Sequence, residues 1–323
     1  MIPIRDTISS KNYPIVNTSI IVVNVIFFLL QLAQGSDLNR FIITYGLVPA
    51  RYTTPEIGRL FSFGEQVISF ITFMFLHGGF WHLLGNMWFL YIFGDNIEDK
   101  LGHLRYLVFY FLCGIASGLF HILLNFHSQA PTIGASGAIA GVMGAYMITY
   151  PRSKILTLIP IIIIPFFIEI PAVIFLGIWF LFQFLNVAGT TAHGGGVAWW
   201  AHIGGFIAGI IFLKMLLKMP GAGVSDKLRS VTSKKSTPGL QVIRTFSTPD
   251  DPDLNGDIII SPSEAERGTR KLVNIPRGFQ RRLLRVNIPA GIKDGSVLRL
   301  RGMGKKKTYN DSGDMFLKVF IRG

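Results

Sequence analysis

Residues 197–217 read VAWWAHIGGFIAGIIFLKMLL, an apolar run interrupted only by His202 and, near its end, by Lys214. A helix needs about 20 mostly apolar residues to cross the hydrocarbon core of a bilayer. This stretch has that length, and small residues recur along it at intervals of four. The pattern predicts a transmembrane helix that packs closely on a neighbour and carries a histidine inside the membrane.

The whole chain has the composition of a membrane protein with a soluble part attached. Half of its 323 residues are hydrophobic and the mean hydropathy is +0.46. Only 15% are charged, against about 25% in an average soluble domain. The single cysteine, Cys113, excludes an internal disulfide.

Five further apolar stretches have the length of a spanning helix, which predicts a polytopic α-helical membrane protein with six transmembrane helices. The predicted spans are 15–34, 80–97, 104–124, 134–150, 171–187 and 197–217. We interpret 67–76 as an interfacial or re-entrant segment, because two glycines separate it from the second span. The apolar run 155–170 contains two prolines and Glu169, so we interpret it as a connection rather than a seventh span.

Lys and Arg residues lie at alternate ends of the predicted spans, which predicts that both termini are cytoplasmic. These residues are Arg5, Lys11, Lys100, Arg105, Arg152, Lys154, Lys214 and Lys218. The loops 125–133 and 188–196 contain no Lys or Arg, as expected of the outer side, and the long loop 35–66 is mixed in charge. The N-terminus is not an amphipathic, Arg-rich presequence, so we expect a multi-pass protein of a bacterial inner (plasma) membrane.

Polar side chains inside a membrane span are costly and point to function, and four of those in the predicted spans are prominent. His82 and Asn86 are four residues apart on one face of the second span. Ser136 lies early in the fourth span and His202 early in the sixth. Because these three spans run in the same direction, all four side chains are predicted at a similar shallow depth below the outer surface.

Ser136 lies in Gly-Ala-Ser-Gly at 134–137, at the start of a predicted helix. Unpaired amides at a helix start can stabilise an oxyanion on a carbonyl that a serine attacks. His202 is the candidate general base if spans four and six touch. Both spans carry a face of small residues that favours such contact: Gly137, Gly141 and Ala145 on one, and Ala201, Gly205 and Gly209 on the other.

Each of these signals has a simpler explanation when it is taken alone. Faces of small residues are common packing devices, and a membrane serine usually bonds the backbone of its own helix. The combination favours a nucleophile and its base. No His-Glu-x-x-His pattern is present, which disfavours a zinc hydrolase, and we expect neither a metal nor a cofactor. A channel or transporter would line its path with intramembrane charges, and the spans hold almost none.

Four separated motifs resemble those of the rhomboid proteases. They are HGGFWHLLGNM at 77–87, FGDNIEDKLG at 93–102, GASG at 134–137 and AHIGG at 201–205. The resemblance implies the rhomboid fold and an intramembrane serine protease domain over 1–220, with transmembrane proteins as substrates. It implies a catalytic dyad of Ser136 and His202. It also implies an oxyanion hole formed by the side chains of His82 and Asn86 with the Ser136 N–H.

The resemblance leaves one alternative function and shows one departure. The alternative is a non-proteolytic rhomboid-like protein that binds transmembrane segments, and the presence of both Ser136 and His202 argues against it. Some family members carry a Trp-Arg pair in the first long loop, whereas residues 45–52 here read YGLVPARY. This departure concerns the contacts of that loop rather than the chemistry.

Residues 221–323 form a basic tail, with 20 Lys and Arg against 10 Asp and Glu, compared with 11 against 8 in residues 1–220. Basic charge beside a membrane favours anionic lipid, so we expect membrane lipid and no nucleic acid as a partner. Residues 221–254, rich in Ser, Thr, Lys, Gly and Pro, are predicted to form a linker. Alternating apolar residues predict a small all-β domain over 255–323.

The tail resembles the C-terminal β-domain of the DnaJ-type co-chaperones. The matching stretches are VNIPAGIKDG at 286–295, LRLRG at 298–302 and GDMFLKV at 313–319. The resemblance implies a module that binds peptides or associates with itself. The His-Pro-Asp of a J-domain is absent from the sequence, and a small β-domain without a ligand is the alternative.

Overall fold

The computed structural model describes most of the chain in two compact units, residues 1–234 and 235–323. The described residues are 1–8, 10–161, 164–189, 198–219, 228, 231–233, 240–243, 245–247, 251–277, 280–308 and 311–322. The division falls inside the stretch 221–254 that the sequence predicted as a linker. In the second unit, β-structure begins at Leu240, before the predicted start of the β-domain at 255. Most of the predicted outer loop 188–196 lies outside the described residues.

Helices dominate the first unit and follow the predicted spans closely. They are α1 (Ile15–Leu32), α2 (Leu38–Tyr45), α3 (Ala50–Thr53), α4 (Pro55–Gly58), α5 (Phe63–Thr72), α6 (Phe80–Leu101), α7 (His103–Leu124), α8 (Ser136–Thr149), α9 (Ala172–Gly189) and α10 (Trp199–Lys218). Three of the described helices, α1, α7 and α10, are long and apolar enough to cross a membrane, and α8 and α9 are shorter apolar helices. A helical membrane core is thus confirmed, whereas the count of six crossings stays a prediction.

The segment before α6 bends sharply, as the two glycines predicted. The helical stretch Phe63–Phe75 meets α6 at 78°, so this pair forms either a broken span or a re-entrant loop. Gly79 has φ +154°, a backbone conformation that favours glycine. The predicted re-entrant segment 67–76 lies in the first arm of this bend, and α6 begins at Phe80 as predicted.

The apolar run 155–170 forms a β-hairpin, which the sequence did not predict. β2 (Lys154–Ile161) pairs antiparallel with β3 (Ile164–Pro171), and β1 (Ile2–Asp6) adds a third strand along β2. The prediction that this run is a connection rather than a seventh span is confirmed. The strands were missed because a short continuous apolar run lacks the alternation that distinguishes a strand from a helix.

Helix α8 lies at the centre of the first unit, and its residues from Gly137 to Tyr146 are all buried. It packs directly on α10 through glycines on both helices. A methyl group on Gly205 would overlap the Gly137 carbonyl, and one on Gly209 would overlap the Gly141 carbonyl. The predicted contact between spans four and six is therefore confirmed, with backbones close enough for short side chains to meet.

The second unit is an all-β domain with one short helix, as the sequence predicted. Its strands are β4 (Leu240–Val242), β5 (Thr245–Phe246), β6 (Leu254–Ile260), β7 (Thr269–Arg277), β8 (Gln280–Ile288), β9 (Val297–Leu300), β10 (Lys306–Thr308), β11 (Asp311–Ser312) and β12 (Met315–Ile321). They form sheets in the orders β5-β6-β12-β9, β4-β7-β8 and β10-β11. Alternate residues of β6 and β12 are buried in its core, which explains the predicted periodicity.

Candidate active site

Ser136 and His202 form a direct hydrogen bond between two helices. The His202 Nε2 atom lies 2.8 Å from the Ser136 Oγ atom. Ser136 is the first residue of α8, and His202 lies in the first turn of α10, so the close packing of these helices brings the two side chains together. His202 is 7% exposed, whereas Ser136 is half-buried and therefore open to an approaching group. This distance is within the range for proton transfer from a nucleophile to its base.

A third side chain, Gln183 of α9, holds the other nitrogen of the imidazole. The His202 Nδ1 atom lies 2.8 Å from Gln183 Oε1, and Gln183 Nε2 donates to the Trp179 carbonyl at 2.7 Å. Because the amide N–H group is bonded to that carbonyl, its oxygen faces the ring and accepts the Nδ1–H. The hydrogen-bond pattern therefore assigns the neutral tautomer in which Nε2 carries a lone pair toward Ser136.

Gln183 was not among the residues that the sequence singled out. The signal that could have found it was the same as for the others, a polar side chain inside a predicted span. Two aromatic rings also surround His202. The Trp179 ring lies 5.8 Å away at an interplanar angle of 36°, and the Trp199 ring lies 5.9 Å away, edge on. These contacts leave the imidazole little freedom to rotate.

His82 and Asn86 lie on the first two turns of α6 and face the loop that precedes Ser136. His82 Nδ1 accepts the Gly78 N–H at 3.2 Å, so the proton of the neutral ring is on Nε2. A Cβ atom on Gly134 would lie 3.0 Å from His82 Nε2 and 3.6 Å from Asn86 Nδ2. Gly134 has φ +126°, so both its backbone conformation and the closeness of these side chains require a glycine.

Asn86 carries a buried donor that nothing in the described part of the chain satisfies. Its Nδ2 atom is inaccessible to solvent and has no hydrogen-bond partner among the described residues. A buried unpaired amide costs about 1–3 kcal/mol. The Ser136 N–H is a further donor nearby, since the first amides of a helix have no partner within it. Together with the His82 Nε2–H, these donors suit an anionic oxygen.

The backbone before α8 is fixed at two points. The Gly134 N–H donates to the Phe73 carbonyl at 2.8 Å, and Thr132 and Leu47 exchange two backbone hydrogen bonds of 2.8 and 3.0 Å. The structure thus brings all four predicted side chains, Ser136, His202, His82 and Asn86, to one place. Among the described residues no group of three His, Cys, Asp or Glu side chains could hold a metal ion.

Comparison with known proteins gives matches in both units. Residues 64–219 match the Rhomboid domain family, and residues 254–322 match the DnaJ C terminal domain family. The resemblances drawn from the sequence motifs are confirmed by these matches. The chain is 31% identical over 180 residues to Rhomboid protein 1, mitochondrial, of Saccharomyces cerevisiae, which covers 54% of this chain and 45% of the yeast protein.

Two further relatives differ in the activity that their names state. Rhomboid-like protease 5 of Toxoplasma gondii is 30% identical over 179 residues, covering 49% of this chain and 18% of that protein. Inactive RHOMBOID-like protein 8 of Arabidopsis thaliana is 35% identical over 83 residues, covering 26% and 23%. The chain spans less than half the length of each of these three relatives. They are eukaryotic proteins, one of them mitochondrial, and give no support to the expected bacterial inner membrane.

Proposed function

We propose, from the match of residues 64–219 to the Rhomboid domain family, that the first unit of the chain is an intramembrane serine protease. Its substrates are membrane proteins, cut in or near a transmembrane segment. Ser136 is the nucleophile and His202 the general base. The observation that carries the proposal is the 2.8 Å bond between His202 Nε2 and Ser136 Oγ at the start of a buried helix.

The reaction follows from the proton positions. His202 Nε2 takes the Ser136 proton while Oγ attacks the carbonyl carbon, and the carbonyl oxygen becomes an oxyanion. His82 Nε2–H, Asn86 Nδ2–H and the Ser136 N–H donate to that oxygen. The imidazolium then gives its proton to the leaving amine, and the peptide bond breaks to leave an acyl-enzyme. Water, deprotonated by His202, releases the acyl group and restores Ser136.

The substrate must present an unwound peptide bond. In a membrane helix the carbonyls are bonded within the helix, so a cut requires local opening. Gly, Pro or other small residues near the cleavage site make that opening less costly. We therefore assign this protease to transmembrane segments that contain such residues. In our proposal both chain termini lie on the membrane face with most Lys and Arg, and the site lies near the opposite face.

A cleavage assay tests the proposal directly. Purified protein in detergent or lipid vesicles is mixed with a model single-span substrate that has a Gly-containing segment. Ser136→Ala and His202→Ala each should lower the cleavage rate by about 10³-fold or more. Ser117→Ala is the matched control, since Ser117 is a fully buried hydroxyl on α7 that, among the described residues, bonds only the Gly114 carbonyl of its own helix, at 2.9 Å.

The control separates loss of the nucleophile from loss of a buried hydroxyl. Ser117→Ala should cleave within about twofold of the wild type. Equal cleavage by Ser136→Ala and wild type would refute the proposal. If the wild type binds the substrate but cuts nothing, the non-proteolytic function takes its place.

For the DnaJ C terminal domain we propose binding of extended apolar peptides or self-association. Exposed apolar side chains on its strands support this proposal: Ile259 is 40%, Leu272 37% and Leu283 58% exposed. Full-length protein should bind a fluorescent unfolded peptide, or sediment as a dimer, and Leu283→Asp should weaken that association. A monomer without peptide affinity would instead favour a domain without a ligand.

A further inference from the structure

Gln183 is a polar residue buried in an otherwise apolar helix. It is 3% exposed, whereas its neighbours Phe182 and Phe184 are 50% and 43% exposed. Helix α9 thus turns one amide inward and apolar side chains outward. An amide inside a membrane protein is costly unless both its donor and its acceptor are bonded.

Both the N–H group and the carbonyl oxygen of the Gln183 side chain are hydrogen-bonded, and the bond of one sets the orientation of the other. The Nε2 group donates to the Trp179 carbonyl one turn earlier at 2.7 Å. This bond turns Oε1 toward His202 Nδ1, 2.8 Å away. The acceptor is therefore held in place before any substrate arrives, and the side chain need not reorganise during the reaction.

We infer that Gln183 is a positioning residue for His202, an inference that rests on the proposed protease function. By accepting the Nδ1–H, it keeps the lone pair of Nε2 directed at Ser136. When His202 takes the serine proton, the Nδ1–H···Oε1 bond becomes charge-assisted and strengthens. Gln183 thereby stabilises the transition state more than the resting state, although it touches neither the substrate nor Ser136.

A purely structural role for Gln183 makes the opposite predictions. If the amide only packs in α9, an apolar residue of similar size should be tolerated, and an acidic residue should be the most harmful substitution. If Gln183 positions His202, the apolar residue should be harmful, and glutamate should be tolerated. A neutral carboxyl group supplies the same pair of functions, an oxygen that accepts from Nδ1 and an O–H that donates to the Trp179 carbonyl.

The test measures kcat and KM for a model single-span substrate with full-length protein. We expect Gln183→Leu to lower kcat by about 10- to 100-fold with KM within about twofold, because only the reacting state loses a bond to a charged group. Gln183→Glu should keep at least about a third of the wild-type kcat. Gln183→Asn, whose amide is one methylene too short, should resemble Gln183→Leu.

Asn186 provides the matched control on the same helix. Its Nδ2 group donates to the Phe182 carbonyl four residues earlier at 2.6 Å, the same local bond that Gln183 makes to Trp179. That amide is not bonded to His202, so Asn186→Leu should leave kcat within about twofold. If Gln183→Leu unfolds, the comparison of kcat between Gln183→Glu and Gln183→Asn tests the inference instead. The inference predicts a higher kcat for Gln183→Glu.

The outcomes separate this inference from the proposed function. Wild-type cleavage that depends on Ser136, together with an unchanged kcat in folded Gln183→Leu, overturns the inference and leaves the protease intact. A kcat for Gln183→Glu as low as that of Gln183→Asn also overturns it. Absence of Ser136-dependent cleavage in the wild type overturns the proposed function, and the inference with it.

Discussion

Two buried polar clusters lie at opposite ends of α6 and differ in how fully their hydrogen bonds are satisfied. The Ser136 cluster consists of Ser136, His202, His82 and Asn86. The Glu98 cluster consists of Glu98, His103, Asn17 and the Val16 N–H. His82 and Glu98 are about 24 Å apart along the helix, from its rise per residue. Both clusters lie in an apolar bundle where polar groups are costly.

In the Glu98 cluster, both side-chain oxygens of Glu98 take part in hydrogen bonds. Glu98 is 1% exposed and accepts the Val16 N–H at 3.0 Å and the Asn17 N–H at 2.7 Å, so it binds the first turn of α1. It also bonds His103 Nδ1. A carboxylate at a helix start is favoured by the helix dipole and satisfies its free amides. This cluster attaches one helix to another.

The Ser136 cluster contains a buried hydrogen-bond donor that has no acceptor among the described residues. Asn86 Nδ2 is unpaired among the described residues, and both it and His82 Nε2 lie beside Gly134, two residues before the Ser136 N–H. The comparison of the two clusters shows that burial of polar side chains does not by itself indicate a reaction site. Donors that converge on one point without a partner within the fold are the more specific sign.

The largest effect that separates the clusters is expected for Asn86→Leu. Loss of one oxyanion donor should lower kcat by about 100-fold, or about 2.7 kcal/mol of transition-state stabilisation. Stability should stay equal or rise, because an unpaired buried amide is removed. Cleavage kinetics and thermal unfolding in detergent measure both effects. A variant that loses stability and keeps its kcat would show that Asn86 belongs with the structural cluster.

Glu98→Ala should show the reverse pattern with a somewhat smaller effect. Removing the carboxylate leaves the first amides of α1 and the His103 ring without their acceptor. We expect a loss of about 2 kcal/mol in the free energy of unfolding. The kcat of the folded fraction should remain within about twofold. A loss of kcat in fully folded protein would mean that the two clusters are coupled along α6.

The smallest change to be measured, about 1 kcal/mol over one pH unit, concerns Asp6, a strand residue outside the helices. Its side chain accepts from Asn96 Nδ2 at 2.8 Å, two residues before Glu98, and from the Tyr146 hydroxyl. Burial raises the pKa of Asp6 from 3.8 to about 7, and the nearby Asp95 adds to the rise. The folded state therefore holds a proton that the unfolded chain has already lost between about pH 4 and pH 7.

Stability should fall as the pH rises through that window and level off above pH 7. Because at most one proton is involved, the free energy of unfolding changes by at most about 1.4 kcal/mol for each pH unit. Asp6→Asn removes this group, so its stability relative to wild type should grow by about 1 kcal/mol between pH 5.5 and pH 6.5. Parallel curves for the two proteins in unfolding experiments would show that Asp6 is ionised in the folded state across this range.

The sequence predicts the candidate site better than the connections around it. The helices and the four polar residues follow from apolar length and from side chains placed early in spans of the same direction. The hairpin of β2 and β3 does not, because a continuous apolar run has no period. Gln183 was missed because the rotation of α9 about its own axis, which turns this amide inward, is set by packing rather than by local sequence.

The most direct measurement is the labelling of the intact protein with a fluorophosphonate probe, with the modified residue located by mass spectrometry. The probe reacts only with a serine that a base activates, so it reports on the dyad without any choice of substrate. The account predicts one adduct, on Ser136, that is lost in His202→Ala and retained in Glu98→Ala. An unlabelled Ser136, or labelling that is unaffected by His202→Ala, would contradict it.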